Sequence, residues 1–257
     1  MAGKVGIIGG SGLEKESFFG NPHACAVMTP WGSPSSLLLE GTVEGVPVVI
    51  LARHGLEHTL PPTQVNYRAN VQALKDSGCS CILATTAVGS LRQEIERGHL
   101  IILDQFIDFT KQRTMTYHET FAPHQPMHAS MADPFDARLR EILCAEADKL
   151  GLRCHRTGTV ITIEGPRFST RAESRMYRIW GADVVNMSVA TEAALANEIG
   201  LPYAAVAMST DYDAWNEEAA AVTWEEVLEV FGRNVGNVMR LLRAAIPLAA
   251  DLDSNPG

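Results

Sequence analysis

Short apolar runs rich in Val, Ile, Leu and Ala recur along most of the chain. They lie at residues 4–8, 36–40, 46–52, 81–86, 100–103, 157–163, 183–187 and 203–209. Runs of this length and composition predict β-strands, and runs without polar alternation are typical of strands that are buried on both faces. Gly41 and Gly45 lie between the second and third runs, which predicts a hairpin-like pair at that point.

Amphipathic segments separate several of these runs and predict helices at residues 66–76, 137–150, 170–181, 191–199 and 223–246. Thr170 with Glu173, and Thr223 with Glu226, form capping-box patterns at the starts of the third and fifth helices. Pro247 is expected to end the last helix. The alternation predicts one α/β domain with a central mixed β-sheet flanked by helices. We expect that domain to span residues 1–250 and to be followed by a tail at 251–257.

Composition and charge narrow the class of protein. The chain has 257 residues, 46% hydrophobic and 20% charged, which is the composition of a globular protein. Its 21 basic and 30 acidic residues give a net charge of -9, the opposite of what a nucleic-acid-binding surface needs. The longest apolar stretch, residues 46–52, is far shorter than the ~18 residues of a membrane span. We therefore expect neither a nucleic-acid nor a membrane partner.

The five cysteines are odd in number and lack the spacing of a disulfide framework, which favours a reducing compartment and a cytoplasmic location. Cys79 and Cys81 are too close together for an ordinary zinc pair. His54 and His58 have an i, i+4 spacing, but Gly55 and the intervening residues do not match a helical metal motif. No metal site is expected.

Polar residues gather where the predicted strands end. In open α/β sheets, ligands bind beyond the carboxyl ends of the strands, so the segments after these ends are expected to converge. They contribute Ser11 in a Gly-rich loop, Arg53, His54, Thr86 and Ser188. Glycines allow close approach of backbone N–H groups to an anion, and the guanidinium fork suits an oxyanion. The alternatives are a plain strand–helix turn for the loop and a salt bridge to an acidic residue for Arg53.

Two carboxylates follow the last predicted strand. Asp211 and Asp213 flank Tyr212, and two buried carboxylates close together would raise one pKa, as a general acid requires. The alternative is an ordinary pair of turn carboxylates. His128 lies in a long irregular stretch at residues 108–135. Such stretches cap a site or form a subunit contact, unless the histidine is simply solvated.

Several motifs together resemble the trimeric purine nucleoside phosphorylase family over nearly the whole chain. They are Gly-Ile-Ile-Gly-Gly-Ser-Gly-Leu at 6–13, Ala-Arg-His-Gly at 52–55 with His-Thr at 58–59, Val-Asn-Tyr-Arg-Ala-Asn at 65–70, Thr-Thr-Ala-Val-Gly-Ser-Leu at 85–91, Asp-Gln-Phe-Ile-Asp at 104–108, Glu-Gly-Pro-Arg-Phe-Ser at 164–169, Arg-Ala-Glu-Ser at 171–174 and Thr-Asp-Tyr-Asp at 210–213. The chain departs from the family at Thr191, where proline is usual. Within the family the chain is most similar to enzymes acting on 5'-methylthioadenosine.

The resemblance implies a site for each part of such a substrate. Phosphate would be bound by Ser11, Arg53, His54, Thr86, Ala87 and Ser188. The base and ribose would be bound by Phe168, Ser169, Met187, Asp211 and Asp213, with Asp211 and Asp213 as the catalytic residues. The 5'-alkylthio group would lie against His58, Trp224, Val227 and Leu228, with His128 from a neighbouring subunit of a homotrimer.

The resemblance implies phosphorolysis of 5'-methylthioadenosine to adenine and 5-methylthioribose 1-phosphate, in purine and methionine salvage. Phosphate would be a co-substrate, and no cofactor is expected. The alternative within the family acts on adenosine or 6-oxopurine nucleosides. Outside it, a nucleosidase would use water and need no anion site, while a binding protein would need no acid at the base. The absence of the dinucleotide fingerprint argues against a Rossmann oxidoreductase.

Overall fold

The computed structural model of the protein describes residues 3–9, 18, 20–216 and 223–252, without the side chains of residues 224, 226, 231 and 233. Ser11 and the side chain of Trp224 therefore lie outside the described part. So do residues 253–257 of the predicted tail, whereas Leu252 packs against the core.

The strands are β1 (Lys4–Gly9), β2 (Gly20–Cys25), β3 (Leu38–Val43), β4 (Val46–Ala52), β5 (Cys79–Ser90), β6 (Leu100–Ile102), β7 (Gln105–Phe109), β8 (Cys154–His155), β9 (Thr159–Ile163), β10 (Val184–Asn186) and β11 (Tyr203–Asp211). The helices are α1 (Tyr67–Asp76), α2 (Ala137–Lys149), α3 (Arg171–Ile179), α4 (Val189–Glu198) and α5 (Trp224–Ala250), with a short 3-10 turn at Pro62–Gln64.

The strands form one mixed sheet, which confirms the predicted fold class. Its main order is β2-β3-β4-β1-β5-β10-β9-β7, and β11 pairs with β5 and leads on to β6 and β8. The central strands β4, β1, β5 and β11 are parallel, whereas β10 is antiparallel to β5. Strand β5 is shared: its first half pairs with β1 and its last two residues pair with β10.

The core lies on both faces of the sheet, as the near-continuous apolar runs predict. Residues of α2 and α5 pack on one face and residues of α1 and α4 on the other. A smaller cluster around Tyr177 joins α3 to β9 and β10. The capping box predicted at Thr170 is present, with both the Glu173 backbone and side-chain bonds made. Among the described residues, no helix has the length and apolarity of a bilayer-crossing segment.

Some element boundaries differ from the prediction for identifiable reasons. Strand β2 was missed because none of its residues is buried, so no apolar pattern marks it. Strand β7 occupies the start of the stretch predicted to be irregular at 108–135, and only one of its residues is fully exposed. Strand β5 extends to Ser90, so Thr86 lies inside the strand and not after it. Helix α4 begins at Val189, two residues earlier than predicted.

The prediction that Pro247 ends the last helix is wrong, since α5 continues to Ala250. Proline removes one backbone hydrogen bond and crowds the carbonyl of the preceding turn, and the packing of the residues beyond it offsets this cost. Ala249 and Ala250 are buried in the core. The Ala250 carbonyl also accepts a hydrogen bond from the backbone of Gly3 at 2.8 Å.

Candidate functional site

A cavity of about 510 Å³ opens where β4, β5, β10 and β11 approach one another and α5 begins. Most of the predicted site residues line it: Arg53, His54, His58, Thr86, Ala87, Phe168, Ser169, Met187, Ser188, Asp211, Asp213, Val227 and Leu228. His128 does not line it and is exposed within its own chain, where its ring contacts Phe121. The structure therefore brings together the described residues that were predicted for the phosphate, the base and the 5' group, with the exception of His128.

The cation of the site is the guanidinium of Arg53, directly after β4. The Arg53 residue is only 2% exposed. Its Nε and Nη2 donate to the two carboxylate oxygens of Glu192 at 2.5 and 3.0 Å, and Nη1 donates to the Thr85 carbonyl at 2.9 Å. Arg53 thus does form a salt bridge to an acidic residue, which was the alternative to anion binding. It uses three of the five N–H donors of the guanidinium, which leaves two for a ligand on the cavity side.

The ring of His54 is fixed beside Arg53. Its Nδ1 is hydrogen-bonded to the Leu60 carbonyl at 2.8 Å, and its ring stacks on that of His58 with centroids 4.6 Å apart. Burial, and then the charge of Arg53, lower its pKa to about 4. The imidazole is therefore neutral at pH 7, with Nδ1 as the donor to the carbonyl and Nε2 as the ring nitrogen left for a ligand.

A buried hydroxyl–amide network holds the next anion-side groups. Asn186, at the end of β10, donates to the Thr86 hydroxyl at 3.2 Å and accepts from the Thr162 hydroxyl at 2.8 Å. The same Asn186 oxygen accepts the backbone N–H of Ser188 at 3.4 Å. Ser188 is the N-cap of α4, and its side chain makes no cap bond. The network joins Thr86 on β5 to the N-terminus of α4, where backbone N–H groups favour an anion.

The carboxyl group of Asp211 lies at the far end of the cavity and is nearly fully buried. One of its oxygens accepts from the Thr210 hydroxyl and the other from the Asp213 backbone N–H, both at 2.8 Å. Burial is the main reason that its pKa is raised to about 6, against the opposing effect of those two bonds. A carboxyl with this pKa can hold a proton near neutral pH, which a general acid requires.

Asp213 forms the second half of the predicted acid pair, in a left-handed backbone conformation (φ 47°). Burial raises its pKa as well, and the nearby hydroxyls of Ser174 and Ser169 partly oppose that rise. None of the three groups reaches full hydrogen-bond geometry: Asp213 Oδ2, Ser169 Oγ and Ser174 Oγ are buried without a partner among the described residues. Buried polar atoms are normally paired, so this cluster is built to receive a polar ligand.

Three residues missed in the sequence analysis, Arg113, Tyr67 and Glu164, lie behind Met187 in the site. Arg113, whose side chain is 3% exposed, donates to the Met187 carbonyl at 2.9 Å, to the Tyr67 hydroxyl at 2.8 Å and to Glu164. The Tyr67 hydroxyl also lies 3.3 Å from the Met187 carbonyl. This cluster fixes the backbone of Met187. Arg113 sits in a stretch with no periodic pattern, so nothing local marks it.

Ser174 and Gly89 were also missed. Ser174 stands in one of the quoted motifs, but only the fold shows that α3 turns it toward Asp213. A Cβ at Gly89 would lie 2.8 Å from Asp211 Oδ1 and 3.2 Å from Asp213 Cβ. A glycine inside an apolar strand is the available sequence signal for such a close approach.

Two parts of the cavity wall are apolar or aromatic. Phe168, which is 39% exposed, contributes an aromatic ring to the lining. Val227, which is buried, and the half-exposed Leu228 line the cavity from α5, with His58 also in the lining. Among the described residues, one set of three side chains has ligand atoms close enough to share a metal ion, namely His23, Cys25 and Glu40. It does not line the cavity, and the ammonium group of Lys4 lies 3.6 Å from Glu40.

The geometry therefore combines an anion-binding end with a buried, protonatable carboxyl at the other end. A site of this kind can support the transfer of a group between an anion and a polar heterocycle. In agreement, the sequence model of the phosphorylase superfamily matches residues 4–247 of this chain. The chain belongs to this superfamily, which confirms the resemblance drawn from its motifs.

Individual relatives cover the chain almost completely. The S-methyl-5'-thioadenosine phosphorylase of Xenopus tropicalis is 49% identical over 253 residues, and that of Danio rerio 47% over 252 residues; each alignment covers 97% of this chain and 90% of the relative. A solved structure of methylthioadenosine phosphorylase from Schistosoma mansoni in complex with adenine has a TM-score of 0.91 and 40% identity. The alignment covers 98% of this chain and 93% of the chain in that structure.

Gly89→Ala is expected to disturb the acid pair. The new methyl group would press on Asp211 and Asp213, and overpacking of this kind costs about 1–3 kcal/mol in the free energy of unfolding. Displacement of a catalytic group by an ångström can cost about 100-fold in rate. We expect thermal unfolding to show a lower Tm and steady-state assays to show at least a tenfold loss of kcat.

Gly236→Ala in α5 is the matched control, because nothing lies within 4 Å of a Cβ at that position. It should leave both quantities unchanged or raise the Tm. A Gly89→Ala protein with parental Tm and kcat would show that the close approach does not constrain the carboxylates.

Proposed function

We propose that this chain is a phosphorylase that cleaves 5'-methylthioadenosine with inorganic phosphate, giving adenine and 5-methylthioribose 1-phosphate. The observation that carries the proposal is the pairing, in one cavity, of the buried Arg53 guanidinium with the buried Asp211 carboxyl whose pKa is raised. Relatives with that name cover the chain nearly end to end, and a similar solved structure contains methylthioadenosine. This favours the predicted substrate over the alternatives.

The acid pair acts on the base. Adenine is a poor leaving group until its N7 is protonated, and Asp211 supplies that proton from its neutral form. Asp213 accepts a hydrogen bond from the exocyclic amino group, with the hydroxyls of Ser169 and Ser174 completing the contacts. The base thereby pairs the polar atoms that have no partner among the described residues.

The anion-binding end acts on the sugar. As the bond from C1' to N9 breaks, C1' acquires oxocarbenium character, and a phosphate oxygen then forms the new bond to C1'. Arg53, Thr86, Ser188 and the backbone at Ala87 hold the phosphate, with the Gly-rich loop at Ser11 as a further expected donor. A fixed, oriented anion both balances the developing charge and serves as the nucleophile. The Met187 backbone, held by Arg113, lies beside the ribose.

The 5' end of the substrate explains the preference for a thioether. Val227 and Leu228 offer an apolar wall, and burying a methylthio group there gains about 0.8 kcal/mol per methylene-sized unit. An unpartnered 5'-hydroxyl would lose about 1–3 kcal/mol. Adenosine remains the second candidate, because one similar structure is of an "Adenosine/Methylthioadenosine Phosphorylase" from Schistosoma mansoni. A 6-oxopurine is disfavoured because its O6 would face the Asp213 carboxylate.

The proposed setting follows from the same observations. The reaction needs no metal or organic cofactor, since phosphate is the second substrate. Free cysteines throughout the described part support a reducing, cytoplasmic location. We also propose a homotrimer in which His128 completes a neighbouring site, since His128 is exposed and remote from the cavity of its own chain.

Turnover should depend strictly on phosphate, and Arg53→Lys should weaken phosphate binding. Lysine keeps a cation beside Glu192 but loses the forked donors, and one charge-assisted hydrogen bond is worth about 1.5–3 kcal/mol. We expect the KM for phosphate to rise at least about tenfold in assays that vary phosphate at saturating nucleoside. Arg156→Lys, which changes an exposed arginine paired with Glu141 and Asp148, is the control. Turnover without phosphate, or an unchanged phosphate KM, contradicts the assignment.

The pH profile should report Asp211. The neutral carboxyl is the active form, so kcat/KM for the nucleoside should fall as pH rises above about 6, by up to tenfold per unit. Saturating phosphate keeps the titration of that substrate out of the profile. Asp211→Asn should lose about 10²–10⁴-fold in kcat and lack this limb.

Asp213→Asn is the companion variant and should keep the limb while weakening base affinity. If Asp213→Asn removed the limb and Asp211→Asn kept it, the roles of the two residues would be reversed.

Shared sites should be visible in mixed oligomers. Asp211→Ala subunits lack the acid, and His128→Ala subunits lack the group that reaches a neighbour. A hybrid contains sites with both groups intact, so mixing the two variants should recover activity. Mixing Asp211→Ala with Asp211→Asn is the control, because no such site can form. Hybrids seen by native mass spectrometry without recovered activity would contradict sharing.

A further inference from the structure

A chain of buried hydrogen bonds stands behind Arg53. The Tyr203 hydroxyl, at the start of β11, donates to Glu192 Oε2 at 2.8 Å, and the same oxygen accepts from Arg53 Nη2 at 3.0 Å. Glu192, in the first turn of α4, is 0% exposed, and Tyr203 is 1% exposed. Three separate elements thus meet at one carboxylate: β4 through Arg53, α4 through Glu192 and β11 through Tyr203.

Resting on the proposed function, we propose that Glu192 and Tyr203 are positioning residues for phosphate, which act by holding the Arg53 guanidinium in one orientation. Neither is needed to touch the substrate. Glu192 accepts two N–H groups of the guanidinium and the Thr85 carbonyl accepts a third. The two N–H groups that remain are available to an anion in the cavity, which Arg53 lines. Tyr203 in turn fixes the Glu192 carboxylate through its hydroxyl group.

The chemistry of the three groups supports this division of work. Burial and the Glu192 carboxylate raise the pKa of Tyr203 well above its usual value, so its hydroxyl remains a donor at all working pH. Burial opposes the charge of Arg53, but the charge and hydrogen bonds of Glu192 outweigh it and raise the pKa of the guanidinium. Without Glu192, the Thr85 carbonyl would be the one remaining partner of the cation among the described residues, and without Tyr203 the carboxylate would lose a neutral donor.

A purely structural role makes a different prediction. If the network only holds α4 against β4 and β11, then weakening it should lower the Tm, lower kcat and raise the KM values for both substrates together. A positioning role instead concentrates the effect on one substrate, because the base end of the site is attached to β11 and α3 by other contacts. The separation of the KM for phosphate from kcat and from the KM for nucleoside distinguishes the two.

Tyr203→Phe removes one hydroxyl and leaves the ring packed against Phe135. We expect the KM for phosphate to rise about five- to tenfold, which is less than for loss of a direct hydrogen bond to a charged group because the effect reaches phosphate through Glu192 and Arg53. The kcat at saturating phosphate and the KM for methylthioadenosine should change less than about twofold. Isothermal titration with phosphate should show the same loss of affinity. Tyr177→Phe is the matched control, since Tyr177 is also 1% exposed and packed against aromatic rings, and it should leave every value unchanged.

Glu192→Gln tests the same network by an independent route. It keeps the volume of the side chain but removes its charge, so it should raise the KM for phosphate more than Tyr203→Phe does. The double variant should show less than the product of the two effects, because both act through one carboxylate.

A folded Tyr203→Phe protein with unchanged phosphate KM overturns the inference, and so does a Glu192→Gln protein whose kcat and two KM values worsen equally. The proposed function fails separately, by phosphate-independent turnover of the parent protein.

Discussion

The parallel pairing of β5 with β11 places both ends of the site on one pair of strands. In this register Ala207 lies opposite Thr86, and Asp211 lies opposite Gly89 after an irregularity between Ser209 and Asp211. Thr86 and Gly89 are three residues apart, which is about 10 Å along a strand. That separation suits a nucleoside lying between a phosphate group and the base carboxylates. The irregularity and the absence of a side chain at Gly89 allow Asp211 to turn inward.

The buried charges at the two ends of the cavity are handled in opposite ways. At the anion end, Glu192 compensates Arg53 through a bidentate pair, so the guanidinium stays charged in spite of its burial. At the base end, Asp211 accepts two hydrogen bonds and forms no ion pair among the described residues, and burial favours its neutral form. The fold thereby keeps one group permanently ionised and another ready to lose a proton. A phosphorolytic site needs both conditions at once.

The local sequence pattern was sufficient to predict those elements that have a clear apolar run or capping motif. The buried run of β4 predicted Arg53 at its end, the run of β11 predicted Asp211, and the Thr170–Glu173 pair predicted the start of α3. Strand β2 was not predicted because none of its residues is buried. The predicted helix end at Pro247 was wrong because the core packing of Ala249 and Ala250 outweighs the lost backbone hydrogen bond. These are tertiary effects, which a single sequence records weakly.

The unpredicted parts of the site are those that act on another side chain. Arg113 works through the Met187 carbonyl, 74 residues away in sequence, and Glu192 works through Arg53, 139 residues away. Their partners cannot be read from spacing. Glu192 did leave a signal, since it is a charged residue in the first turn of α4 among small and apolar residues, whereas the other acid of the helix, Glu198, lies at its end. Such a charge must be paired once buried, although the sequence alone does not identify its partner.

The same cost of unpaired polar groups connects the lining of the cavity to substrate choice. Asp213, Ser169 and Ser174 each present a buried polar atom without a partner among the described residues, and the fold maintains this arrangement through the cap of α3 and the φ of Asp213. A base with an amino group can satisfy these atoms together, whereas a base that places an oxygen there adds an acceptor beside a carboxylate. A site built to hydrogen-bond its substrate rejects an analogue by leaving such groups unpaired. Under the proposed function, selection of the base follows from which ligand completes the hydrogen bonding around Asp213.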